Sequence, residues 1–149
     1  MIKKVLTVKN DAERATLRLP CTEFDVANED ALLNLAKDLV DTIAAAGVNA
    51  VGLAANQIDR TVCVFAMRWN SKIIVIVNPV VVKVSEQKVS SREGCLSHPG
   101  LSPIRAKRHK RISIPYYDIE QKKIVKQKFH SLDAIVVQHE MDHLKGIIV

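Results

Sequence analysis

The stretch VVQHEMDHLKG at residues 136–146 constrains this chain more than any other. It lies in a run, Ser131 to Gly146, where Leu132, Ile135, Val136, His139 and His143 recur at the spacing of one helix face. Two histidines thus continue an apolar stripe, so a fold that buries the stripe must bury two imidazoles with it. Ser131 is the expected cap, Asp133 suits the first turn, and Gly146 is the expected stop. Cβ atoms at i and i+4 are about 5–6 Å apart, which lets both rings reach one metal ion. Glu140 is offset around the helix from His139, a position suited to working on water beside an ion rather than to binding it.

The plainer reading of H-E-x-x-H alone is a pair of core-edge histidines satisfied by hydrogen bonds. A zinc peptidase of this type takes a third ligand, usually downstream. Only six residues follow His143, and none is His, Asp, Glu or Cys. Upstream, EGCLS at 93–97 offers Cys95. A thiolate with two imidazoles is a sensible set for Zn(II), Fe(II), Co(II) or Ni(II), and it leaves a coordination position for water. Cys63, between Val62 and Val64, reads instead as an inert core residue, and Cys21 has no chemical context. Three cysteines, an odd count, behind an N-terminus without a secretory pattern fit a reducing cytoplasm rather than a disulfide framework.

The rest of the chain fits one domain over 1–149, long enough to bury a single core. Aromatic residues are only 4%, so aliphatic side chains must fill that core. Residues 29–46 predict a helix, capped by Asn28, stopped at Gly47 and striped by Leu32, Leu35, Ala36, Leu39, Val40 and Ile43. From 60 to 129 the period changes. TVCVFAM, IIVIV and VVVKV predict strands, and RISIPYYD with KIVKQKF predict a hairpin about a polar turn at 118–122. Helix, strands, then helix is an α+β order, with antiparallel or mixed sheet packed around the C-terminal HExxH helix. The apolar run at 73–84 is broken by Asn78-Pro79 and too short to span a membrane as a helix. Of 22 Lys and Arg, nine fall within 105–128 against two acidic residues. Such a patch is a solvated hairpin face or a contact for RNA or another polyanion.

VGLAANQ at 51–57, EGCLS at 93–97 and QHEMDH at 138–143, in that order, resemble the three motifs of the peptide deformylase family, and the similarity extends over most of the chain. The resemblance implies a metal-dependent hydrolase that removes the formyl group from the initiator methionine of nascent polypeptides, releasing formate. It implies one divalent ion on Cys95, His139 and His143, with Fe(II) preferred and Zn(II), Ni(II) or Co(II) admissible. Glu140 would be the general base, and Gln57 with the Leu96 N–H would steady the formyl oxygen. Val51 and Gly52 would lie along the peptide, while Leu132, Ile135 and Val136 would line the methionine pocket. Glu93 is expected to pair with a base of the 105–111 run, Arg108 being favoured.

Ala50 stands where the family usually has glycine and Asn56 where it usually has proline, changes expected to affect the substrate-side loop. Ending at Val149, the chain resembles short, phage-like forms that lack a C-terminal helix. A monomer in the cytoplasm of a bacterium, or of the host of a phage, with no membrane partner, is expected. Ribosome contact through 105–128 is a further expectation. Two other readings stand beside this one: a zinc peptidase of the HExxH type, and a basic RNA- or ribosome-binding module with a structural metal.

Overall fold

The structure is a computed structural model that describes residues 1–100 and 103–149. Helix α1, Asp11–Leu17, begins at Asn10, whose side chain accepts from the Glu13 N–H. Helix α2, Glu29–Ala45, is capped by Asn28, which accepts from the Ala31 N–H. Its stripe of Leu32, Leu35, Leu39 and Ile43 is fully buried, as the periodicity requires. The chain leaves α2 through Gly47 at φ +96°, a left-handed conformation that glycine adopts without a Cβ clash.

Strand β1 is Gly52–Ala54, followed by a 3-10 turn at Ala55–Ile58; β2 is Val64–Trp69 and β3 is Lys72–Val77. Strand β4 is Lys83–Val84, β5 is Lys88–Glu93, β6 is Ile104–His109, β7 is Arg111–Asp118 and β8 is Lys123–His130. Helix α3, Ser131–Leu144, closes the order. One sheet runs β1-β2-β3-β7-β4, with β8 on the other side of β7, and β5 pairs with β6 in a separate two-stranded sheet. Among the described residues every strand ladder is antiparallel, and the parallel pairing is an isolated bridge, Thr22 to Val62.

The main sheet is covered on both faces. Val64 and Ala66 of β2 pack with α2, while Phe65 and Met67 pack with Ala134, Val137 and Met141 of α3. That is why VFAM reads as an unbroken apolar run rather than an alternating one. Asn78, at φ +50°, turns the chain out of β3. Val80 and Val82 then donate along β7 to Pro115 and Ser113 oxygens before β4 begins. The expected strand at 80–84 is thus shorter, and Val80 and Val82 are about half exposed, at 57% and 52%.

Three sequence expectations change. Ser131 does not cap α3: His130 holds that position without a side-chain bond, and Ser131 sits at φ +55°, its N–H donating to the Lys110 oxygen. The stripe on α3 is also wider than one face, since Ala134, Val137, Glu140, Met141 and Leu144 are buried with the histidines. The sheet lies on one side of α3, and β6 packs against it as well. Leu132, at the helix start, is by contrast 67% exposed. Helix α1 and the β5–β6 hairpin add elements that hydrophobic patterning did not mark.

Candidate metal centre

His139 and His143 face the same point from successive turns of α3, their Nε2 atoms 3.3 Å apart. The loop after β5 brings Cys95 to them, with Sγ 3.3 Å from His143 Nε2. The three donor atoms lie within 4.8 Å of one another, and both histidines are buried. Sequence separation is bridged by the hairpin: β5 is pinned to α3 through Glu93, which accepts from Arg108 and meets the other ring nitrogen of His139 at 2.7 Å. Arg108 also donates to Asp142 on α3 at 2.5 Å. Glu93 and Arg108 therefore pair as expected, at 2.7 Å, and Asp142 and Ser91 complete a network that spacing arguments missed. Asp142 adjoins His143 in sequence and Ser91 lies two before Glu93; only strand and helix geometry turns them inward.

The electrostatics suit a cation. His139 is pushed up to about 10: burial works against it, but Cys95 and Glu93 at its nitrogens and the nearby Glu140 charge outweigh burial. Surroundings that draw a proton to this ring draw a metal ion by the same field. His143 is pulled down to about 3 by burial and by His139, His98 and Arg108, so its ring is neutral and offers a lone pair. Glu93 stays ionised: burial opposes that, but His139, Arg108 and Ser91 hold its carboxyl well below the usual range. A ligand imidazole braced by a carboxylate is the usual outer-shell support of a metal site. Soft sulfur, two imidazoles and that brace fit one divalent ion.

Glu140 is buried, its Oε2 has no hydrogen-bond partner among the described residues, and burial pushes its carboxyl up to about 7; His139 and Arg108 pull the other way and Glu93 adds to the rise. Its Oε1 lies where a Cβ on Gly52 would come, 2.5 Å away. Gln57 is buried behind Cys95, its Nε2 donating to Ser97 Oγ at 3.0 Å and lying 3.6 Å from Cys95 Sγ. Ser97 is a buried partner that sequence reading did not single out. Asn56 is fully buried and donates to the His143 carbonyl at 2.7 Å.

Cys95, His139 and Glu140 open onto a cavity of about 410 Å³. Val51, Gly52 and Leu96 line it, as do Leu132, Ile135 and Val136 from α3. Arg92 and Asn49 lie along its wall as well, neither marked by sequence reading. Of the expected site residues, His143 and Gln57 stand behind the wall, Gln57 held there by Ser97 and by the Ala54 N–H that its Oε1 accepts.

A buried helix carrying H-E-x-x-H, a cysteine sulfur from a hairpin loop and an apolar cleft define a metal-dependent hydrolase of the α+β kind. A profile of the polypeptide deformylase family matches residues 2–149. The chain belongs to that family. It is 34% identical to a peptide deformylase of Aquifex aeolicus, over 99% of this chain and 85% of that one. It is 36% identical to one of Karelsulcia muelleri, over 87% of this chain and 69% of the other. Among solved structures, a class I type b peptide deformylase of Acinetobacter baumannii superposes with a TM-score of 0.88 at 28% identity, covering 99% and 97% of the two chains. A probable peptide deformylase of synechococcus phage S-SSM7 superposes at 0.86 with 29% identity, covering 98% and 96%. Among the described residues no helix is long and apolar enough to cross a membrane.

Proposed function

We propose that this chain carries out its family's deformylation on N-formylmethionyl peptides, with Cys95, His139 and His143 holding one divalent ion and Glu140 moving the proton. The observation that carries this reading is Glu140 itself: a buried carboxyl, raised to about 7, with an unpartnered oxygen beside three converging donors. When bound, the ion supplies Lewis acidity for a water molecule and for the formyl oxygen. Glu140 takes the proton from the water that adds to the formyl carbon. It delivers that proton to the departing amine, so the amide becomes formate and a free N-terminus.

Gln57 and the Leu96 N–H would meet the charge that develops on the formyl oxygen. Removing one such donor costs on the order of 3–4 kcal/mol in the transition state. Gln57 must then trade its bond to Ser97 for one to the substrate, a shift of a side chain already 3.6 Å from Cys95 Sγ. The aliphatic wall of Leu132, Ile135 and Val136 fits a methionine side chain, and Val51 and Gly52 lie where the peptide backbone passes. The Met-Ala-Ser complex of the Acinetobacter baumannii enzyme, a structure this chain matches with a TM-score of 0.86 at 28% identity, supports a peptide of that size. Fe(II) is the preferred ion; a Cys-ligated ferrous site predicts sensitivity to oxygen.

The test is formate release from formyl-Met-Ala-Ser by anaerobically prepared protein, with acetyl-Met-Ala-Ser as control and Cys95→Ser as comparison. Turnover of the formylated peptide alone, lost with metal content in Cys95→Ser, is the expected result. Protein carrying one ion per chain that releases no formate would overturn the proposal.

A further inference from the structure

We infer that Arg92 and Arg105 form an anion subsite at the mouth of the cleft that selects formylmethionyl peptides carrying an acidic side chain two or three residues after the methionine. This rests on the deformylation reading above. Strand β5 alternates strictly: Val89, Ser91 and Glu93 turn inward, while Lys88, Ser90 and Arg92 are exposed. On β6, Arg105 and Lys107 are exposed and Arg108 is buried. The register sets Arg92 opposite Arg105 and Ser90 opposite Lys107. Cross-strand neighbours have Cβ atoms about 4.5–5.5 Å apart, and like charges in that position destabilise a hairpin. A carboxylate between the two guanidinium groups removes that repulsion and suits their planar, paired donors.

Position identifies the occupant. Arg92 lines the cleft that receives the peptide, and of the charged residues there Glu93 is committed to Arg108 and His139 while Glu140 sits at the reacting end. Among the described residues Arg92 and Arg105 form no ion pair, and no acidic residue shares their face of the hairpin. Among the described residues β5 pairs with β6 alone, and its Ser91, Arg92 and Glu93 line the cleft. Extended chain rises about 3.3 Å per residue, so the three-residue step from Cys95 to Arg92 covers roughly 10 Å. A peptide whose formyl group lies at the donors reaches Arg92 with its second or third residue beyond methionine.

Both arginines are exposed, so the selection is modest and salt-dependent. The experiment compares kcat/KM for formyl-Met-Ala-Asp-Ala, formyl-Met-Ala-Ala-Ala and formyl-Met-Ala-Lys-Ala, at low and high salt, in the metal-loaded enzyme. An order Asp, Ala, Lys with about a tenfold span, residing in KM and shrinking in salt, is expected. Arg92→Glu inverts the order and Arg105→Glu flattens it, whereas Lys126→Glu on β8 keeps the original ratio. Equal kcat/KM across the series while the Ala peptide is turned over overturns the subsite alone. No turnover of the Ala peptide overturns the deformylation reading instead. A flat series combined with loss of RNA binding in Arg92→Glu also overturns the subsite, in favour of a nucleic-acid face.

Discussion

Gly52 and Glu140 are matched at a single atom. A Cβ at residue 52 would stand 2.5 Å from Oε1 and 2.9 Å from Cδ of Glu140, so the carboxyl must move to admit even alanine. Displacement of a reacting group by about 1 Å can cost on the order of a hundredfold in rate. Gly52→Ala is therefore expected to lower kcat at least tenfold with folding and metal content unchanged, measured by formate release and circular dichroism. Undiminished kcat would mean that Glu140 does not need its present place. Asn56 makes a second single-atom argument. Where the resemblance sets a proline, this chain has a buried amide holding the His143 carbonyl at 2.7 Å, a bond proline cannot donate. Asn56→Leu leaves that oxygen to the Gly146 N–H at 3.0 Å and is expected to cost about 1 kcal/mol in urea denaturation. A change below a few tenths would show that the bond contributes nothing.

At the scale of elements, the site depends on a hairpin that is weak by itself. A two-stranded ribbon is marginal in water, and β5–β6 is pinned by the buried network of Glu93, Arg108, Asp142 and His139. Arg108→Leu takes from the buried Glu93 side chain its arginine partner, leaving Ser91 and His139, and loosens Cys95 two residues on. Breaking one partner of a buried pair costs about 3–5 kcal/mol, so a Tm drop with weaker metal binding is expected by calorimetry and metal titration. Retained affinity in a destabilised variant would separate the brace from the metal site. Patterning made α2 and the β7–β8 hairpin legible, because one buried stripe and two strand-forming runs about a polar turn are local signals. The donors were legible too, since H-E-x-x-H and EGCLS are short and chemically particular. Helix α1 has seven residues with Leu17 alone buried, too little for a stripe. Strands β5 and β6 are polar because one face meets water and the other meets charge, so their shape follows from α3 rather than from themselves. Arg92 shared that obscurity: only pairing register put it beside the cleft.

For the whole molecule, the donor set is a clasp between parts that the core does not otherwise join strongly. The apolar clusters unite the main sheet with α2 and α3, and neither cluster includes a buried residue of β5 or β6. An ion on Cys95, His139 and His143 ties the hairpin to α3 from its loop, in addition to the bonds between Gln138 and His109. Binding that favours the folded state stabilises it by RT ln(1 + [L]/Kd), about 4 kcal/mol at a thousandfold excess over Kd. For a chain of this size that corresponds to roughly 10 °C in Tm. Removing the ion with a chelator should lower Tm by that order, and hydrogen exchange should rise first at residues 88–98 rather than in α2. If exchange rose uniformly, the ion would be supporting the core as a whole. If neither Tm nor exchange changed, the three donors would be neighbours without a shared ligand, and the chemistry assigned to Glu140 would lose its footing.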